Sequence, residues 1–184
     1  MKALYLVAIG NVPEQVMDWI ESTAAEWFPV PIRRLSPREI PERAYDANRK
    51  QYQSVEVMKL LAQIVPPDSC RLLGVTDVDL AIPMLSFLFG QAQVDGPVAL
   101  VSLCRLRQEF YGLPADESAL RSRLTKEVLH ELGHTFGLVH CNNAKCAMSL
   151  ATHIQRVDEK DERYCEQCGT QLVQRFSSLE AEVI

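Results

Sequence analysis

Of the chain's four histidines, three fall inside one short stretch: His130-Glu131-x-x-His134, then Gly137, then His140. On a helix, residues four apart lie one turn apart on the same face, so His130 and His134 can aim two imidazole nitrogens at one metal ion. Glu131 sits between them, near enough to polarise a metal-bound water without serving as a ligand. A straight helix would carry position 140 away from that metal. Gly137 can take the left-handed conformation that ends a helix and turns the chain, bringing His140 back as the third ligand. Three neutral imidazoles with a fourth position left to water make a catalytic zinc site rather than a closed structural one. The plain alternative is a surface helix that happens to carry histidines. The extension by Gly137 and His140 weighs against it.

Cysteines continue the pattern. Cys141 and Cys146 are followed by Cys165-x-x-Cys168. Four thiolates in two short-spaced pairs match a closed, four-coordinate structural zinc site. Two disulfides are the alternative, and would suit a small secreted chain. Chain length, the lack of an evident secretion signal and the paired spacings weigh against them. His140 and Cys141 are adjacent, and neighbouring side chains of an extended segment point to opposite sides, so one chain crossing could serve two metals. Met148 lies two residues past Cys146. Taken alone, it would be core filler.

The combined pattern, from the histidine motif through Cys141, Cys146 and Met148 to Cys165-x-x-Cys168, resembles the archaemetzincin family. These are metzincin-like zinc peptidases marked by cysteines interlaced with the histidine motif. The resemblance is carried by residues 127–168 of the 184. It implies an α/β architecture of metzincin type: a mixed, mostly parallel twisted sheet with an antiparallel edge strand, an active-site helix and a small zinc-stapled C-terminal part. One catalytic domain over residues 1–184 is expected, with an N-terminal part over 1–137 and a C-terminal part over 138–184. The resemblance also implies two zinc ions per chain, one catalytic on His130, His134 and His140 and one structural on the four cysteines. Met148 would form a hydrophobic floor beneath the histidines. Aminopeptidase or related peptidase activity is implied as well.

These residues need elements to hold them. Leu120, Leu124, Val128, Leu129 and Leu132 recur at helical spacing and predict an active-site helix over residues 117–136. Upstream, Ala3 to Ile9 is a continuous apolar run, as in a strand covered on both faces. A helix follows Pro13 through Val16, Ile20 and Trp27, and a short strand is expected at 32–35. Residues 36–50 read as a loop, then a helix over 54–64 and a strand over 70–75. Asp77 and Asp79 are expected to cap a turn through their own backbone. The stretch from Ser86 to Gln93 precedes a strand over 98–103. By the family resemblance it is the exposed edge above the zinc, where an extended peptide would pair as an added strand along Phe87, Leu88, Phe89 and Gly90. Otherwise it is an ordinary sheet strand. Cys70 and Cys104 read as small buried hydrophobes. Asp158 to Arg163 is a mixed charge run, expected to be a solvated face. A last helix over 166–179 carries Leu172, Val173 and Phe176.

Composition bounds the function. Hydrophobic residues at 47% and charged residues at 23% are ordinary globular usage, and no apolar run approaches the ~20 residues of a membrane span. A net charge of −5 argues against nucleic acid, whose phosphates need a basic face. The opening stretch has one positive charge and no small-residue cleavage site, so it reads as a strand rather than a signal peptide. A cytoplasmic monomer acting on peptide or protein substrates is expected, with no membrane partner. The chemistry that fits is zinc-dependent peptide hydrolysis with Glu131 as general base. Aminopeptidase and endopeptidase action are both open. An aminopeptidase needs an acidic group for the free amine, for which Asp77, Asp79, Asp95 and Glu109 are candidates. The alternative from another class is a zinc-stabilised peptide- or protein-binding module with little or no proteolysis, for which Glu131 would have no use. His153, outside the motif, is expected at the surface.

Overall fold

Strand β1 (Ala3–Ile9) is buried along its whole length. Because strand side chains alternate, it feeds two cores at once: Leu4, Leu6 and Ala8 enter one, Ala3, Tyr5, Val7 and Ile9 the other. That is the physical meaning of its unbroken apolar run. The computed structural model describes residues 2–181, and for 178–181 the backbone alone.

Helix α1 (Glu14–Trp27) follows Pro13 and buries Val16, Met17, Ile20 and Ala24. Strand β2 (Ile32–Arg34) comes next. The expected loop over 36–50 contains a 3-10 turn at Glu42–Ala44 and a short strand β3 (Tyr45–Asp46), with β4 (Gln51–Gln53) directly after. Then come α2 (Ser54–Gln63), β5 (Ser69–Thr76), β6 (Leu80–Ile82), β7 (Leu85–Leu88), β8 (Gly90–Ala92) and β9 (Val98–Ser102). Three helices complete the order: α3 (Glu117–Thr135), α4 (Ile154–Glu159) and α5 (Glu166–Ala181).

The main sheet has the order β2-β1-β5-β9-β8, parallel except for β8, which runs antiparallel to β9 at the edge. This is the mixed, mostly parallel sheet with an antiparallel edge that the family resemblance implies. Helices α1, α3 and α5 cover one face; α2 and β6 cover the other. A second small sheet, β3-β4-β6-β7, lies outside the expectation. Its strands run only two to four residues, too short for a period-two pattern to show.

Helix α3 is secured at both ends. The Asp116 carboxylate accepts a hydrogen bond from the Ala119 amide at 2.9 Å, an N-cap for otherwise orphaned donors. At the other end Gly137 has φ +84°, its amide donates to His134 O at 2.9 Å, and Leu138 N donates to Gly133 O at 3.0 Å. That pair of bonds is a Schellman termination, which needs a left-handed residue at this position. Arg71 of β5 adds a donor to Thr135 O at 2.8 Å and lays its guanidinium over the Phe136 ring.

One expectation fails in the C-terminal part, and one apolar residue of the last helix stays out of the core. Val173 is exposed while Leu172 and Phe176 pack inward, Phe176 against Phe28 and Phe136, because one helical turn relates the latter pair and leaves 173 outside the stripe. The charge run is not a solvated face throughout. Asp158 receives a bidentate pair of bonds from Arg123, and Lys160 is buried against Glu127. Opposite charges on α3 draw these groups inward.

Candidate metal centre and active-site cleft

The imidazoles of His130, His134 and His140 converge, each offering a ligand atom within 4.8 Å of the others. His130 Nδ1 donates to Ala147 O and His134 Nδ1 donates to Leu138 O, both at 2.8 Å. A carbonyl oxygen can only accept, so both rings carry their proton on Nδ1 and present a bare Nε2 to the centre. Those two Nε2 atoms stand 3.1 Å apart. Two lone pairs facing each other at that distance repel unless a cation lies between them. A tetrahedral zinc with Zn–N near 2.0–2.1 Å would set its nitrogens about 3.3 Å apart, so the donor set fits. Burial holds the imidazoles below their usual pKa, most strongly at His130, and the nearby Lys160 charge acts in the same direction. Neutral rings are the form that binds metal.

Glu131 follows His130 on α3 and lines a cleft of about 640 Å³ with the three histidines. Edge strand β8 passes directly over it. A Cβ added at Gly90 would lie 2.6 Å from Glu131 Cγ and 2.7 Å from Leu100 O, so only glycine lets strand and carboxylate approach this closely. Phe87, Leu88, Phe89 and Gly90 all line the cleft. They do not form one strand, however. Phe87 and Leu88 belong to β7 of the small sheet, Gly90 begins β8 of the main sheet, and the buried Phe89 is the crossing between them.

Met148 is fully buried and its sulfur abuts Gly133, between Glu131 and His134 in the motif, where any side chain would collide with it. The neighbouring residue Ala147 holds His130 through its carbonyl. The motif's variable Gly133 is therefore a packing position, which spacing alone did not single out.

Cys141, Cys146, Cys165 and Cys168 gather their sulfurs within 4.8 Å of one another, and none is in a disulfide. Cys141 Sγ and Cys165 Sγ are 3.8 Å apart, matching the roughly 3.8 Å edge of a tetrahedron with Zn–S near 2.3 Å. Backbone amides of Asn143 and Cys165 point at Cys141 and Cys146 sulfurs at 3.4 and 3.2 Å, as outer-shell donors do for thiolates. His140 and Cys141 enter different clusters although adjacent. Asn143 and Met148 bonds, including Cys141 N to Met148 O at 2.9 Å, close the loop between them.

The four acids considered for a free amine are elsewhere. Asp79 and Asp77 pair with Arg105 and Arg107, and neither they nor Asp95 nor Glu109 reaches the cleft. Among the described residues, the carboxylate that does, besides Glu131, is Glu127. It lies one turn before the motif on the same helix face, so helical spacing could have found it. Lys160, bonded to it, could not be found that way. His153 is exposed, as expected.

With this geometry in hand, comparison with known proteins is specific. Residues 16–175 match the model of peptidase family M54. The archaemetzincin of Methanocaldococcus jannaschii is 40% identical over 167 residues, covering 91% of this chain and 90% of that protein. The archaemetzincin of Pyrococcus furiosus is 38% identical over 180 residues, covering 94% and 93%. Among solved structures, archaemetzincin from Methanopyrus kandleri superposes with a TM-score of 0.84 at 34% identity, over 96% of each chain. A zinc-dependent peptidase from Methanocorpusculum labreanum gives 0.81 at 34% identity, over 92% of this chain and 99% of that one.

Proposed function

The chain belongs to peptidase family M54, the archaemetzincins, and is a zinc metallopeptidase; from that premise we propose that it hydrolyses peptide bonds at the N-terminal end of peptides, with Glu131 as general base. The observation that carries this is the convergence of three imidazoles beside a buried carboxylate, directly under the free edge of β8. His130, His134 and His140 would hold the catalytic zinc, with Met148 packed below. Cys141, Cys146, Cys165 and Cys168 would hold a second, structural zinc, giving two per chain. Bound in the histidine site, zinc supplies Lewis acidity that polarises a carbonyl and makes water a nucleophile near neutral pH.

The residues do the rest. An extended peptide pairs with the outer edge of β8 and presents its carbonyl to the cleft, its side chains against Phe87 and Leu88. Glu131, held by α3 and covered by Gly90, takes the proton of the attacking water on a carboxylate oxygen and returns it to the departing amine. The whole chain works as one catalytic domain, residues 138–184 being the part stapled by cysteines. Four reduced thiols suit a cytoplasmic monomer. None of the described helices is long and apolar enough to cross a membrane.

The test compares parent, Glu131→Ala and His134→Ala protein purified without chelator. Two zincs in the parent and in Glu131→Ala, one in His134→Ala, and peptide turnover in the parent alone are expected. Turnover by Glu131→Ala equal to the parent sinks the base assignment. A parent that binds peptides but cuts none would make this a binding module.

A further inference from the structure

Glu127 stands three positions before His130 and four before Glu131 on α3, which puts its Cβ about 5–6 Å from theirs. It lines the same cleft. Its Oε1 accepts a hydrogen bond from Lys160 Nζ at 3.0 Å, and both side chains are almost wholly buried, at 4% and 1% exposure. A carboxylate is an acceptor with room for several bonds, so the bond to Lys160 leaves Glu127 capacity for a further donor from the cleft. Lys160 neutralises the buried charge and holds it in place. The pair is not required to tether α4 to α3, because Arg123 already makes bidentate bonds to Asp158 at 2.7 and 2.8 Å.

We infer that Glu127 is the residue that receives the free α-amino group of the substrate. The inference rests on the aminopeptidase reading above and names the group that recognises the terminus. The terminal amine is separated from the first scissile carbonyl only by one Cα, and one helical turn separates Glu127 from Glu131, so amine and carbonyl can reach the two carboxylates together. Lys160 acts through Glu127 as a positioning residue. A charge-assisted bond to an ammonium is stronger than a neutral one and is lost when the amine is missing.

Binding is measured by calorimetry in zinc-loaded Glu131→Ala protein, which separates recognition from cutting. The probes are a leucyl-peptide amide and its des-amino twin, which lacks the amine and adds no bulk. The amine form should bind at least about ten-fold more tightly. Adding Glu127→Gln should bring the two within about two-fold. Because that change leaves Lys160 buried without its partner, a Glu127→Gln/Lys160→Met variant is measured alongside, and should also show no preference. Equal binding of the twins by Glu131→Ala protein overturns the inference. So does a preference that returns in the Glu127→Gln/Lys160→Met variant, since the pair would then matter only for packing. If parent protein turns over neither peptide while the amine preference holds, the peptidase reading fails and the amine site stands.

Discussion

Glu131 is buried under Gly90, and that burial, reinforced by the neighbouring Glu127 charge, lifts its carboxyl well above the ordinary range, while Lys160 acts the other way. Linkage turns this into a stability statement. An acid whose folded pKa is raised destabilises the fold once the unfolded chain can ionise, so the cost is absent below about pH 4.3 and grows as pH rises. In metal-free protein, Glu131→Gln should therefore melt at a higher temperature than the parent at pH 7 and at the same temperature near pH 4. A variant that melts lower at pH 7 would show that the carboxylate is stabilised by something other than the groups named. A cation in the histidine site reverses the local balance, because it favours the ionised form. The proposed base is thus costly to the metal-free fold and suited to the loaded one.

Among the elements, β8 and the end of α3 set the geometry, and each depends on a glycine. Gly90→Ala would drive a methyl group into Glu131 and the Leu100 carbonyl, neither of which can yield without moving the edge strand. Turnover should fall by about ten-fold or more, on the scale of a misplaced catalytic group, with zinc content unchanged. Unchanged turnover would mean that β8 does not sit over the base during catalysis. Gly137→Ala acts differently. Its φ of +84° strains any other residue, and Arg175 lies 3.0 Å from the new Cβ. A loss of about 1 kcal/mol or more in denaturant unfolding is expected, together with weaker zinc retention, since this turn delivers His140. Normal zinc retention would detach the third ligand from the helix end.

Across the whole molecule, the segment after α3 is held from two sides. Its aromatic contacts run from Tyr164 to Trp27 and from Phe176 to Phe28 and Phe136, while the cysteine cluster joins residues 141–146 to 165–168. Cys168→Ser should remove one zinc per chain and lower the melting temperature. The histidine site should then lose zinc at lower chelator concentration, because the same loop carries His140, Ala147 and Met148. Retention of both zincs by Cys168→Ser would remove the cluster from the list of metal sites.

Much was legible in the sequence because it was local. The helix spacing of His130 and His134, the left-handed need at Gly137, the buried run of β1 and the length of α3 each follow from neighbours a turn or a strand away. The four cysteines were legible in their paired short spacings, and Met148 only through the family pattern it shares with the histidines. What lay beyond reach was pairing between distant residues. Nothing near Lys160 marks it apart from the other charges of its run; it is buried only because Glu127, thirty-three positions earlier, waits on α3. The break of Ser86–Gln93 into two strands of different sheets, and the withdrawal of Asp77 and Asp79 to arginines, depend likewise on partners that folding brings together. Local spacing alone could place the metal-binding chemistry. Which carboxylate shares the cleft with it was decided by tertiary structure, because the energy of a buried charge depends on what surrounds it and not on what adjoins it in the chain.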